Sequence, residues 1–122
     1  MHQREIYATM GYSEEHNDCS VRAYATAACV SYDVAHALFK QHGRENTHCT
    51  KAIVMDAVMR STFPNAINAF PSISVTKFLK LYPTGHYIVH TYNHAFAIVD
   101  GIIHDWAPGL QRIIKEAWRL DI

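Results

Sequence analysis

The sequence predicts an α+β domain, with helices first and an antiparallel sheet after them. Three observations carry this. Between Cys19 and Tyr82, apolar residues recur at helical spacing in separate segments. After Gly85 the runs become extended in character, rich in Ile, Val, Tyr and Thr. Asp100-Gly101 stands between two short apolar runs, the strongest short-range signal for a two-residue β-hairpin. Helices that precede strands, rather than alternate with them, are the α+β pattern.

The totals narrow the function classes. The 122 residues are 49% hydrophobic, which suits one domain over 1–122 with a real core. Eleven Lys and Arg balance eleven Asp and Glu, so charge gives no case for nucleic acid or an anionic membrane surface. No apolar run is long enough to span a bilayer, and Met1–Tyr7 lacks the apolar core of a signal peptide. Three cysteines without framework spacing suit a reducing compartment, so a cytoplasmic location is expected. The nine histidines are scattered, with no HExxH pattern.

In chain order, residues 1–16 read as irregular or short-stranded, with Tyr7, Met10 and Tyr12 as expected core contacts. Asn17-Asp18 are helix-capping types, and a helix is expected to begin at or next to Cys19, with Val21, Ala25 and Ala28 on one stripe beside Tyr24. Ser31 caps a second helix, Tyr32 to His42, with Val34, Ala35, Leu38 and Phe39 as its stripe and Gly43 closing it. Thr50 is the expected cap of a third, in which Ile53, Val54, Ala57 and Val58 recur until Pro64. Asn65 to Pro71 reads as a loop or edge strand. Ser74 opens a fourth helix with Val75, Phe78, Leu79 and Tyr82 on one face, ended by Pro83-Thr84-Gly85. Strands follow at His86–Tyr92, His94–Val99 and Ile102–Trp106, with a turn at Asn93 and a break at Ala107-Pro108-Gly109. The tail, Arg112 to Leu120, fits a helix or a strand, and its position after a meander favours a last strand.

A two-residue turn sets Val99 opposite Ile102, Ile98 opposite Ile103 and Phe96 opposite Asp105. His94, Phe96 and Ile98 then share a face with Ile103 and Asp105. His94 and Asp105 become diagonal neighbours, roughly 7–8 Å apart, which an imidazole and a carboxylate can bridge. A one-residue slip would present His104 instead. Cys19, at a helix start, supplies a nucleophile: unpaired amides and the helix dipole favour its thiolate. Cys29 lies mid-run among Ala and Val, and Cys49 precedes the third helix; both read as structural. A cysteine, a histidine and an orienting carboxylate form a recurring nucleophilic set.

The order Cys19, His94, Asp105 resembles the papain-like cysteine peptidase fold. Two motifs carry the resemblance: Asn17-Asp-Cys-Ser-Val-Arg-Ala23 and His94-Ala-Phe-Ala-Ile-Val-Asp-Gly-Ile-Ile-His-Asp-Trp106. Together with Pro83–Val89 they also resemble small papain-like proteins of tailed phages, over most of Asn17 to Trp106. The resemblance implies a cysteine heading a buried helix, its partners on the following sheet, and, for a phage protein, residence in the host cytoplasm. Asp18-Cys-Ser20 is also similar to the Asp-Cys-Ser-Gly start of secreted cell-wall peptidases, with Val21 in place of the glycine. Papain relatives carry an oxyanion-hole glutamine several residues before the cysteine; Ser13 stands there here. Asn17 or His16 is the expected substitute for that side chain, and Asn17 with the Cys19 amide is the expected oxyanion pair.

The expected chemistry is thiol hydrolysis of a peptide or other amide by a Cys19-His94-Asp105 triad, with no cofactor and no metal. The same triad supports acyl transfer to an amine. A rival from another class is a catalytically silent binding or inhibitor protein, for which Tyr7, Tyr12, Tyr82, Tyr87, Tyr92, Trp106 and Trp118 are candidate contact residues. A zinc site would draw on His36, His42, His48 and Cys49, but no CxxC or HxxxH pairing exists there.

Overall fold

The structure is a computed structural model describing residues 18–46, 48–68, 70–92, 94–105 and 112–122. The readings that fall on Tyr7, Met10, Tyr12, His16, Asn17, Asn93 and 106–109 lie outside these residues. Among the described residues, four helices precede four strands: α1 (Cys19–Ala28), α2 (Tyr32–Gln41), α3 (Ala52–Thr62), α4 (Val75–Leu81), β1 (His86–Thr91), β2 (His94–Val99), β3 (Ile102–His104) and β4 (Glu116–Arg119).

Local chemistry accounts for most boundaries. Ser31 and Ser74 cap α2 and α4, their hydroxyls accepting from the Val34 and Lys77 amides at 3.2 Å. Gly43, at φ +110°, follows α2. Thr50 does not cap α3. That helix begins one residue later than expected, with Lys51 at the N-cap, so the Thr50 side chain lies outside the first turn.

The expected stripes are partly rotated. Val34 and Ile53 are exposed, at 56% and 76%. α2 buries Tyr32, Ala35 and Phe39, and α3 buries Val54, Met55, Val58 and Met59. In α3 the two methionines join the core, which turns the buried face by about 100°, one residue around the helix.

The sheet is antiparallel throughout, in the order β3-β2-β1-β4. β1, β2 and β3 form the expected meander, but β4 returns beside β1 instead of extending it past β3. That is the Greek-key order. The tail is therefore a strand, and single bridges from Ile67 to Arg119 and from Ser74 to Ile113 tie its flanks to the helical half.

Both faces of the sheet are covered, which explains why the strands read as continuous apolar runs. Ile88, Ala95, Ala97 and Trp118 pack with α1, α2 and α3. Tyr87, Val89, Phe96, Ile98 and Ala117 pack with Val75 and Phe78 of α4. The helices thus divide between the two faces of the sheet. Across the first layer, Tyr24 of α1 meets Phe39 of α2 edge to face, with ring centroids 5.5 Å apart.

Candidate active site

The site begins with alanines. Ala23 and Ala27 of α1 share a core cluster with Ala95 and Ala97 of β2, and small side chains on both elements let a helix lie close against a strand. The ten residues of α1 span roughly 15 Å, close to the length of a six-residue strand. The first residue of the helix, Cys19, therefore meets the first residue of the strand, His94.

The hairpin fixes the third member. Val99 pairs with Ile102, Ile98 with Ile103 and Ala97 with His104, the register expected from Asp100-Gly101. Both turn residues have positive φ, 48° and 79°, as a twist-compatible two-residue turn requires. Asp100 also accepts from the Gly85 amide at 2.8 Å, while its own amide donates to the Gly85 carbonyl at 2.8 Å. His104 lies opposite Ala97, and Asp105 follows on the other side of the strand. There His94 Nε2–H donates to both carboxylate oxygens of Asp105, at 2.9 Å each. The Asp105 side chain is wholly buried and that of His94 is 13% exposed. With Nε2 engaged, Nδ1 is left for the Cys19 thiol, to which His94 is also hydrogen-bonded.

Electrostatics bind the three groups into one unit. Burial pushes the Cys19 thiol up, but the hydrogen bonds from His94 and the Ala95 amide, with the charges of His94 and Arg22, hold it below the usual thiol range. The hydrogen bond to Asp105, then that to Cys19, raise His94 to about 9 against the opposing effect of burial. Both shifts favour the thiolate–imidazolium form of the pair over the thiol–imidazole form.

Asp18 occupies the N-cap position of α1, but its side chain does not cap. Its carboxylate is turned to Arg22 Nη2 at 2.9 Å and to the Tyr32 hydroxyl, which donates to it at 2.6 Å. Asp18 and Arg22 are both about 95% buried. This ion pair ties the first turn of α1 to α2 and brings a guanidinium near the thiol. Its i, i+4 spacing was a signal in the sequence. Sequence reasoning passed over it because Asp18 read as a helix cap.

An open pocket of about 450 Å³ lies against Cys19 and His94, lined also by Ser20, Cys49, Thr50, His90, Thr91 and Ala95. His90 and Thr91, at the end of β1, belong to no sequence pattern; only the pairing of Thr91 with His94 brings them here. Cys49 shares this pocket and is exposed, while Cys29 is exposed at the far end of α1. Both had read as structural. Asn17 lies outside the described residues. No group of three metal-ligating side chains occurs among the described residues, and no helix among them is long and apolar enough to cross a membrane.

Comparison of the chain with protein-family models, with curated proteins and with solved structures returned no match.

Proposed function

We propose that this protein is a thiol hydrolase of papain-like type, acting on a peptide, isopeptide or other amide bond. The observation that supports it best is the contact chain itself. Cys19 is hydrogen-bonded to His94, whose second nitrogen is held at 2.9 Å by both oxygens of a wholly buried Asp105, beside an open pocket.

In this reading the Cys19 thiolate attacks the substrate carbonyl, and the tetrahedral oxyanion lies near the first amides of α1, the Cys19 N–H among them. His94 gives its Nδ1 proton to the leaving amine, and a thioester remains on Cys19. His94 then takes a proton from water, the hydroxide attacks the thioester, and the Cys19 thiolate departs. An amine that replaced water at this step would make the enzyme an acyl transferase. Asp105 holds the imidazole in place and stabilises its cation.

Most of the described aromatic candidates for a binding surface are core residues instead. Tyr87 and Trp118 are buried, at 1% and 8% exposure. Tyr82 packs against Phe70, Phe78 and Tyr87, and among the described tyrosines and tryptophans Tyr92 alone is largely exposed, at 81%. The deciding experiment is labelling with iodoacetamide, read by mass at each cysteine. Cys19→Ala removes the fast adduct, whereas Cys29→Ala and Cys49→Ala retain it. Equal labelling of all three cysteines in the unsubstituted protein would overturn the proposal.

A further inference from the structure

The pocket beside Cys19 holds a second thiol that the proposed hydrolysis does not use. Its walls are pairs of neighbouring residues, and Cys49-Thr50 stands with Cys19-Ser20 round one space. Cys19 is half-buried and Cys49 exposed, so the pocket gives a small solute access to both. Cys49 lies outside any helix or strand, in the connection from α2 to α3. Lys51, the N-cap of α3, makes no side-chain capping bond, so no capping side chain fastens the end of that connection to the helix.

Cys29 provides the contrast. It is exposed too, but it closes α1, whose ten residues hold it roughly 15 Å from Cys19. A disulfide needs Cα atoms about 4.4–6.8 Å apart, so the intact helix forbids a bond between Cys19 and Cys29. In the unfolded chain the order reverses. Cys29 is ten residues from Cys19 and Cys49 is thirty, and the shorter loop closes at lower entropic cost. Only the fold brings Cys49 to the Cys19 pocket.

Cys19 is also the thiol that an oxidant meets in its reactive form. Thiolates rather than thiols are the nucleophiles, and the bonds from His94 and the Ala95 amide favour the Cys19 thiolate. Cysteines that sense oxidants combine this character with access to solvent and a second cysteine nearby.

We propose that Cys19 and Cys49 form a redox switch, in which a hydroperoxide joins them by a disulfide that blocks the site reversibly. The switch rests on the thiol-hydrolase reading and adds its regulation. The Cys19 sulfur attacks the outer oxygen of the peroxide. An S–O bond forms, the O–O bond breaks, and the departing oxygen leaves as an alcohol or water with a proton from His94. The Cys49 sulfur then attacks the sulfenic sulfur of Cys19. The S–S bond forms, the S–O bond breaks, and the hydroxyl leaves as water with the Cys49 proton. The two sulfurs give up two electrons, and the peroxide takes them. A dithiol reverses the bond by exchange. While it lasts, Cys19 cannot attack a substrate or climb to the irreversible sulfinic state.

The test treats dilute, reduced protein with hydrogen peroxide, blocks the remaining thiols with iodoacetamide and reads tryptic peptides by mass. Each cysteine falls on its own peptide, Glu5–Arg22, Ala23–Lys40 or Glu45–Lys51, so every bridge has a distinct mass. In the folded protein the Cys19–Cys49 bridge should be the main product, within one chain by intact mass. Alkylation of Cys19 should be lost with it and restored by dithiothreitol. In urea the favoured bridge should become Cys19–Cys29. Cys49→Ser should send Cys19 on to sulfinic acid under the same peroxide, while Cys29→Ala keeps the bridge. Both replaced thiols are exposed, so both variants should melt as the unsubstituted protein does.

A Cys19 that alkylates fast, yet gives only sulfinic acid or a bridge to Cys29 in the folded protein, overturns the switch and leaves the hydrolase reading standing. So does a product ratio that urea does not change. If Cys19 reacts no faster than Cys29 with iodoacetamide and with peroxide, the hydrolase reading fails and the switch with it.

Discussion

Helix α1 carries a cysteine and a histidine partner at each end, and the two pairs are built differently. At its start, Cys19 faces His94 of β2, whose far nitrogen is clamped by Asp105. At its finish, Cys29 Sγ lies 3.9 Å from His86 Nδ1 of β1. That nitrogen is 2.8 Å from the Ala27 carbonyl. A carbonyl can only accept, so Nδ1 carries its proton for Ala27 and has no lone pair to act as a base towards Cys29. The helix dipole widens the contrast, as it favours negative charge at the amide end and opposes it at the carbonyl end. Identical residue types thus make one candidate nucleophile and one surface thiol. A Cys–His contact is common; what distinguishes the Cys19 end is which ring nitrogen is free and what holds the other.

The largest way to break this contrast is to remove what fixes the Cys19 end. Arg22→Ala leaves the Asp18 carboxylate buried at 5% exposure without its ion pair. The expected loss is about 3–5 kcal/mol of unfolding free energy, measured by urea denaturation. Tyr32→Phe removes only one hydrogen bond to the same carboxylate and should cost about 1.5–3 kcal/mol. A cost under about 1 kcal/mol for Arg22→Ala would mean that the ion pair does not anchor the helix start.

Next in size is the difference in reactivity between the two thiols. At about pH 6, alkylation of Cys19 should exceed that of Cys29 by on the order of tenfold, because the hydrogen bonds and charges around Cys19 favour its thiolate. Rates measured at each cysteine by mass test this directly, and parity would erase the contrast.

Asp105→Asn should turn the Cys19 end into something closer to the Cys29 end. The amide can no longer balance an imidazolium, so His94 falls from about 9 towards 6.5 and the thiol rises. Alkylation of Cys19 near pH 6 should slow by about tenfold. The sign of the stability effect follows from the same shift. His94 is raised on folding, so its contribution is complete below about pH 6.5 and is lost as pH rises through about 9. Unfolding free energy measured across that window should therefore fall less in Asp105→Asn than in the unsubstituted protein. Hydrolysis should also lose its alkaline limb near pH 9, since a neutral His94 cannot protonate the leaving group, while simple alkylation keeps its rate there.

The sequence revealed the Cys19 end more fully than the sheet around it. Turn chemistry at Asp100-Gly101 determined the register, and register alone decides whether Asp105 or His104 comes round to His94. The helix start at Cys19 was legible from Asp18, although the Asp18 side chain serves Arg22 and Tyr32 instead of the backbone. The place of β4 beside β1 was not legible, because a long connection leaves no periodic trace. Nor was the polar wall of Thr50, His90 and Thr91, which forms only when the end of β1 and the loop before α3 converge. Thr50 in particular looked like a cap, since a threonine before an apolar helical run carries the same signal whether its hydroxyl is used or left over.

The smallest effect sharpens the comparison from the other end. Cys29 adopts the left-handed conformation at φ 59°, and the Cys29 and Val30 amides close the helix onto the Thr26 and Ala25 carbonyls. That is a position where glycine carries no steric penalty and a side chain does. Cys29→Gly removes the exposed thiol and the strain together, and should stabilise the protein by up to about 1 kcal/mol. The gain is limited by the His86 ring, which keeps its bond to the Ala27 carbonyl and so still packs against the helix end. Cys19, at the other end, admits no such exchange, since loss of its sulfur leaves the His94–Asp105 pair without its third member. Denaturant midpoints of Cys29→Gly, set beside Cys19 alkylation rates in the same variant, should show a more stable protein with an unchanged nucleophile. A slower Cys19 in that variant would mean that the two ends of α1 are coupled along the helix instead of set independently by the strands they meet.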